Sequence, residues 1–226
     1  MRRIWITRAL PGAESTAERV RGLGFEAIVA PVLKLRDLPG PIDLAGVGAL
    51  AFTSANAVRA FAARTRRRDL TVFAVGAATA GAARLTGFAE VVSADGDVAA
   101  LARLIARSAT APGGVVLHPG AAEPAGDMTR ALEGAGIEVR AVSLYETVAA
   151  EVPAAVLGGL GAIEGVLVHS PKAGRRLADI LEHRSAPHLT AYCLSPEVCA
   201  PLESLDIGRV IAAPLPTEDA LLSLMA

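Results

Sequence analysis

Aromatic side chains make up only 4% of this 226-residue chain, and cysteine occurs twice. Few aromatics beside abundant Ala and Gly suit short helices lying close on parallel strands, because small side chains let helix and sheet approach. Cys193 and Cys199 lack the CxxC or Cys/His spacing of a structural zinc site, so two small buried thiols are expected and no metal. No stretch approaches the ~20 uninterrupted apolar residues of a membrane span. The opening Met1-Arg2-Arg3-Ile4-Trp5-Ile6-Thr7-Arg8 is basic, but its apolar run stops well short of the ~7–15 residues of a signal h-region. A cytoplasmic chain without a membrane partner is expected.

Neither sign of charge dominates. The 22 Lys and Arg residues face 23 Asp and Glu, a net charge of −1, which argues against nucleic acid as a partner. The one dense basic run, Arg64-Thr65-Arg66-Arg67-Arg68, falls where a helix ends and a strand begins. It reads as a solvated helix terminus whose cations complement the dipole, with a phosphate site as the alternative. Also missing are a G-x-x-x-x-G-K-[ST] loop, a G-x-G-x-x-G turn after the first strand and a G-x-S-x-G elbow. His118, His169, His183 and His188 show no metal-binding spacing. His118 and His169 end strands, where a functional role competes with a capped or half-buried one.

What the chain does contain is repetition. Gly22-Leu23-Gly24-Phe25-Glu26 returns as Gly134-Ala135-Gly136-Ile137-Glu138. Each copy follows a strand (4–6; 115–117) and an apolar helical stripe: Ala13, Ala17 and Val20 in one, Met128, Ala131, Leu132 and Ala135 in the other. Ala49-Leu50-Ala51-Phe52-Thr53-Ser54 is echoed by Gly165-Val166-Leu167-Val168-His169-Ser170. Two further strands follow each copy (71–75 and 90–92; 189–194 and 209–212), then a helix with acidic residues at its start. Internal duplication of this kind predicts ten strands alternating with helices, five per repeat, in parallel sheets covered on both faces. One wide sheet, two sheets in sequence, or two sheets with the chain passing between them all fit. Pro31 and the extended 142–147 suggest special connectors, since Pro is poorly tolerated in a central strand.

In parallel α/β sheets, ligands meet the carboxyl ends of strands, where helix N-termini present unbonded N–H groups. Four such corners stand out: Thr7-Arg8; Thr53-Ser54-Ala55-Asn56; Gly76-Ala77-Ala78-Thr79-Ala80; and Ser170-Pro171-Lys172-Ala173-Gly174. Any one is explained by helix capping alone. Four, matched in pairs across a duplication, favour one anion-rich ligand. The candidate binding residues are Thr7, Arg8, Ser54, Ala55, Asn56, Gly76, Thr79, Ser170, Lys172 and Gly174. Tyr145 lies in a presumed connector, where a hydroxyl reaching a ligand and plain packing stand level.

The order T-R, G-[FI]-E-x-x-x-x-P, F-T-S-A-N-A-V, V-G-x-x-T-A, L-Y-E-T and S-P-x-x-G resembles the uroporphyrinogen-III synthase family along nearly the whole chain. The resemblance implies two similar flavodoxin-like α/β domains, each a five-stranded parallel sheet with helices on both faces. They would comprise about 1–33 with 146–226, and 37–142. Two extended connectors, near 31–35 and 143–147, would lie side by side and away from either sheet. It implies a cofactor-free, monomeric enzyme that receives hydroxymethylbilane from hydroxymethylbilane synthase. The enzyme would expel water from the substrate, invert ring D and close uroporphyrinogen III in a cleft between the domains. Departure of the hydroxyl group needs a proton, and a phenol carries one at neutral pH, which makes Tyr145 the candidate general acid. Ser54 and Thr79, as carboxylate holders, would act mainly on KM. The second copy of V-G-x-x-T-A departs from the family as Leu194-Ser195-Pro196-Glu197-Val198-Cys199, which leaves three expectations open: weaker binding at this corner, binding by backbone N–H groups alone, or compensation by Lys172 and Arg175. The rivals are a noncatalytic two-domain small-ligand binder, which the lack of an export signal disfavours, and a nucleotide-sugar transferase, for which the chain is short.

Overall fold

The computed structural model describes residues 1–108, 114–123, 127–134 and 136–225. Ala135, the last member of the second helical stripe, lies outside them. The strands are β1 (Arg3–Ile6), β2 (Glu26–Val29), β3 (Leu33–Asp37), β4 (Val47–Phe52), β5 (Thr71–Ala74), β6 (Val91–Ser93), β7 (Val115–Ala121), β8 (Val139–Ala149), β9 (Gly165–Val168), β10 (Ala186–Cys193) and β11 (Ile207–Ala212). The helices are α1 (Gly12–Gly22), α2 (Ala55–Arg64), α3 (Ala77–Leu85), α4 (Val98–Arg107), α5 (Met128–Glu133), α6 (Ala154–Gly158), α7 (Pro171–Leu181), α8 (Pro196–Cys199) and α9 (Glu218–Ser223). The chain divides into two compact units, one of residues 1–35 and 148–226, the other of residues 36–147.

The duplicated phrases have a shared physical cause. Gly24 and Gly136 both adopt positive φ, 86° and 74°, which only glycine takes without strain. In each copy the next residue turns back to cap the helix: Phe25 N–H donates to the Val20 carbonyl, and Ile137 N–H to the Leu132 carbonyl. The second phrase ends each time in a serine N-cap, Ser54 accepting from Ala57 N–H and Ser170 from Ala173 N–H. Asp97 and Thr217 cap α4 and α9 in the same way.

The two sheets draw on both copies. One runs β2-β1-β9-β10-β11, the other β6-β5-β4-β7-β8-β3. In each, the strand pair from one repeat lies beside the strand triplet from the other, and β1, β2, β9, β10 and β11 pair in parallel, as do β4 to β8. Burial on both faces explains why the inner strands β1, β4, β5 and β9 read as nearly unbroken apolar runs. In the first sheet Trp5, Val166 and Val168 enter the layer packed by α7, while Ile4, Ile6 and Leu167 enter the layer packed by α1 and α9. Gly165 fits here because a methyl group would stand 2.8 Å from Ile4 Cδ1 and 2.9 Å from the Tyr192 ring. In the second sheet Ala49, Ala51, Phe73 and Val116 meet α4 and α5. Phe52 packs edge-on against Phe61 of α2, and Phe88 lies against both.

The count of five strands per sheet needs correction. Among the described residues the second sheet has six, because β3 adds to its edge beside β8. Leu38 N–H donates to the Leu144 carbonyl and Arg36 bonds Glu146, so the numbers run in opposite senses and β3 is antiparallel. The segments expected as connectors away from the sheets are therefore sheet strands. Pro31 precedes β3, so its missing N–H disturbs no ladder at this edge.

The basic run is a helix terminus rather than a phosphate cradle. Arg68 donates to the carbonyls of Ala62, Thr65 and Thr86 and lies 4.9 Å over the Phe88 ring. Arg68→Ala should lower stability by about 1–3 kcal/mol through lost charge-assisted bonds and the cation–π contact. The same change at exposed Arg66 should alter it by less than about 0.5 kcal/mol. Equal urea midpoints for the two variants would contradict this assignment.

Candidate functional site

In the unit of residues 36–147, β4 ends and α2 begins at Thr53-Ser54. Ser54 is extended, with φ −153° and ψ 148°, which turns its hydroxyl back over the helix N-terminus to accept Ala57 N–H at 3.1 Å. The same oxygen stands 3.0 Å from the phenolic oxygen of Tyr145 in β8. Thr53 Oγ1 lies 3.3 Å from Nε2 of His118 in the intervening β7. Two side-chain pairs thus tie the end of β4 to its neighbours. Tyr145 and His118 are both largely buried, and burial pushes the His118 imidazole below its ordinary 6.5, leaving it neutral at neutral pH.

Ala55 and Asn56 form the first turn of α2, where backbone N–H groups lack intrahelical partners. Asn56 Oδ1 accepts from Arg59. Gly76, extended at φ −163°, is the N-cap of α3 and offers no side-chain bond, and Thr79 is buried one turn inside. Beyond His118, a cavity of about 150 Å³ is lined by Gly120, Asp127, Met128 and Ser143.

In the unit of residues 1–35 and 148–226, Thr7 and Arg8 follow β1. Thr7 is fully buried, and its hydroxyl donates to the Leu167 carbonyl at 2.6 Å. Arg8 folds over Gly12, where a methyl group would lie 2.8 Å from the guanidinium, and its Nη1 donates to Thr16 and to Glu218. Glu218 also accepts the Thr16 hydroxyl and pairs with Arg19 at 3.7 Å. Its carboxyl is held down at about 2 by His169, Thr16 and Arg8 together, against the opposing effect of burial. The His169 Nε2 faces Glu218 at 3.8 Å, and among the described residues neither ring nitrogen has a closer polar partner. Burial first, and Arg8 after it, lower the His169 pKa, while Glu218 opposes them. Ser170 caps α7 and Lys172 lies in its first turn. Gly174 is a packing position, since a methyl group there would meet the Val198 carbonyl oxygen at 2.8 Å.

Ser54 and Tyr145, flagged separately in the sequence, are brought together by the fold. The Thr53–His118 pair and the Arg8–Glu218 pair went unforeseen; His118, expected at a strand end, lies within β7, and Glu218 opens α9 as one of its acidic first-turn residues. Among the described residues, no group of three or more His, Cys, Asp or Glu side chains is placed to hold a metal ion, and no helix is long and apolar enough to cross a membrane.

Largely parallel sheets with helices packed on them define an α/β protein. The family model for uroporphyrinogen-III synthase HemD matches residues 14–223. The chain belongs to the uroporphyrinogen-III synthase family, cyclising lyases of tetrapyrrole biosynthesis that act on hydroxymethylbilane. Its fold is similar to that of uroporphyrinogen-III synthetase from Helicobacter pylori 26695, with 17% identity and a TM-score of 0.70 over 100% of this chain and 98% of that one. A mutant uroporphyrinogen III synthase from the extremely thermophilic bacterium Thermus thermophilus aligns at 17% identity and a TM-score of 0.54, over 100% and 96%. At these identities the likeness is one of fold. No curated protein matches in sequence.

The Glu218 carboxyl sets a pH dependence. Its folded value of about 2 lies below the ordinary 4.5, so its stabilisation is complete above pH 4.5 and is lost as pH falls through about 2. Glu218→Gln should be less stable at neutral pH and should flatten the acid-unfolding profile over that window, read by circular dichroism. An unchanged profile would show that the pairing stabilises nothing.

Proposed function

We propose that the chain converts hydroxymethylbilane to uroporphyrinogen III with Tyr145 as the proton donor to the departing hydroxyl group. The supporting observation is the 3.0 Å contact between Ser54 Oγ and Tyr145 Oη at the N-cap of α2. One lone pair of Ser54 already takes the Ala57 N–H. When Ser54 donates its own proton to Tyr145 Oη, the phenolic hydrogen is left for the substrate. The same bond then stabilises the phenolate that forms on transfer, and the positive end of the α2 dipole acts in the same sense. A hydroxymethylpyrrole loses water readily once protonated, giving an azafulvenium-like cation, so the acid need supply only part of the rate. Orientation supplies the rest, up to ~7–11 kcal/mol for ideal positioning.

The substrate carries eight carboxylates, and the first turns of α2 and α3, at Ala55, Asn56, Gly76 and Thr79, are the proposed holders in one unit. In the other, Ser170 and Lys172 offer the α7 N-terminus, and Arg8 offers a guanidinium shared with Glu218. Thr7, buried and bonded to Leu167, acts through the backbone it fixes, and Gly174 through the packing of α7. We also read each unit as flavodoxin-like, on the strength of the order β2-β1-β9-β10-β11 and its counterpart β8-β7-β4-β5-β6. A monomer working in the cytoplasm on substrate handed over by hydroxymethylbilane synthase completes the proposal.

Tyr145→Phe should lower kcat by roughly 3- to 100-fold with KM and fold retained. Ser54→Ala should lower kcat as well as raise KM, and should weaken the fold by about 1 kcal/mol through the lost cap. Full kcat in a normally folded Tyr145→Phe protein would reduce the phenol to packing.

A further inference from the structure

We infer that Arg64 is a positioning residue for Tyr145, holding from the far end of α2 the strand whose phenol Ser54 holds from the near end. The inference rests on the reading of Tyr145 as proton donor. Arg64 is the last residue of α2, half-buried, and its Nη2 donates to the carbonyl of Leu144 at 2.5 Å. That carbonyl belongs to the peptide leading into Tyr145, so the guanidinium fixes the peptide plane from which the tyrosine side chain departs. Ser54 Oγ, immediately before the helix, meets the other end of the same side chain.

A ten-residue helix is about 15 Å long and stiff. Its two ends therefore form a gauge that sets where the phenolic oxygen lies along β8. β7 and β3 hold β8 in the sheet, but its register on β7 slips between Ser143 and Tyr145, and there Arg64 and Ser54 together set how the Leu144 peptide and the phenol are turned. The Leu144 carbonyl also accepts Leu38 N–H at 2.9 Å, so removing Arg64 leaves no buried acceptor without a partner. This separates a positioning role from a simple structural one. Arg64 also differs from the rest of its run: Arg68 is spent on helix carbonyls and Arg67 on Asp69.

The test is a double-mutant cycle on the full chain with hydroxymethylbilane as substrate, comparing Arg64→Ala, Arg64→Lys, Tyr145→Phe and the Arg64→Ala/Tyr145→Phe pair. Arg64→Ala should lower kcat by roughly 3- to 30-fold and leave KM within about 2-fold, as lost alignment of an acid requires. Arg64→Lys should restore part of the loss, because an ammonium keeps one donor but not the planar fork. In the Tyr145→Phe background, Arg64→Ala should cost nothing further. Arg66→Ala, which removes a neighbouring exposed charge, should behave as wild type. If Tyr145→Phe lowers kcat but Arg64→Ala does not, or if the two losses multiply, the positioning role is wrong while the proton donor stands. If Tyr145→Phe keeps full kcat, both fall.

Discussion

Parallel pairing between strands remote in sequence is the constraint on which the rest of this structure depends. β1 pairs with β9 and β4 with β7, and neither pair can be closed by a hairpin. Each parallel step needs a crossover, which here is usually a helix, so within a sheet the strand ends and the following helix N-termini collect at one edge. The repeated glycine turn and the repeated serine cap are the local devices that make each crossover stop and start in register. Segment exchange between the two copies then gives both sheets the same spatial plan from different parts of the chain.

The same constraint concentrates chemistry. Because β4, β7 and β8 lie in one parallel run, the residues that follow β4 can touch side chains of the two strands beside it. Thr53 meets His118 from the adjacent strand, and Ser54 meets Tyr145 from the strand beyond. Ser54 belongs at once to the helix, as its cap, and to Tyr145, as its hydrogen-bond partner. One oxygen thereby serves both the local cap and a contact across the sheet. In the other unit the equivalent serine, Ser170, keeps its cap, but the nearby charge is organised around Glu218 instead, with Arg8, Thr16, Arg19 and His169 gathered on it.

Much of this was legible in the sequence because it is periodic or local. Apolar runs at 4–6, 47–52 and 165–168, the glycines that end α1 and α5, and the capping residues all act within a few residues of themselves. The edge strand β3 was misjudged: Leu33-Lys34-Leu35 alternates as a half-buried strand does, but the nearby Pro31 turned the reading toward a connector. Arg8 read only as part of a ligand corner, because its partner Glu218 lies 210 residues away. Gly174 read as part of an anion corner, yet its small size serves the approach of Val198 and Pro201. The sequence marked Tyr145 by motif, but its contact with Ser54 required two residues 91 apart to be placed on neighbouring elements.

On the proposed function, the α/β scaffold positions an anionic linear tetrapyrrole beside a phenol and so directs ring closure to the inverted isomer. The most direct measurement supplies freshly made hydroxymethylbilane to the purified chain, without added metal or nucleotide and with chelator present, and separates the type I and type III products. Type III uroporphyrinogen, formed faster than the buffer control yields any product, is the predicted result. Type I product alone, at the rate of the buffer control, would contradict it.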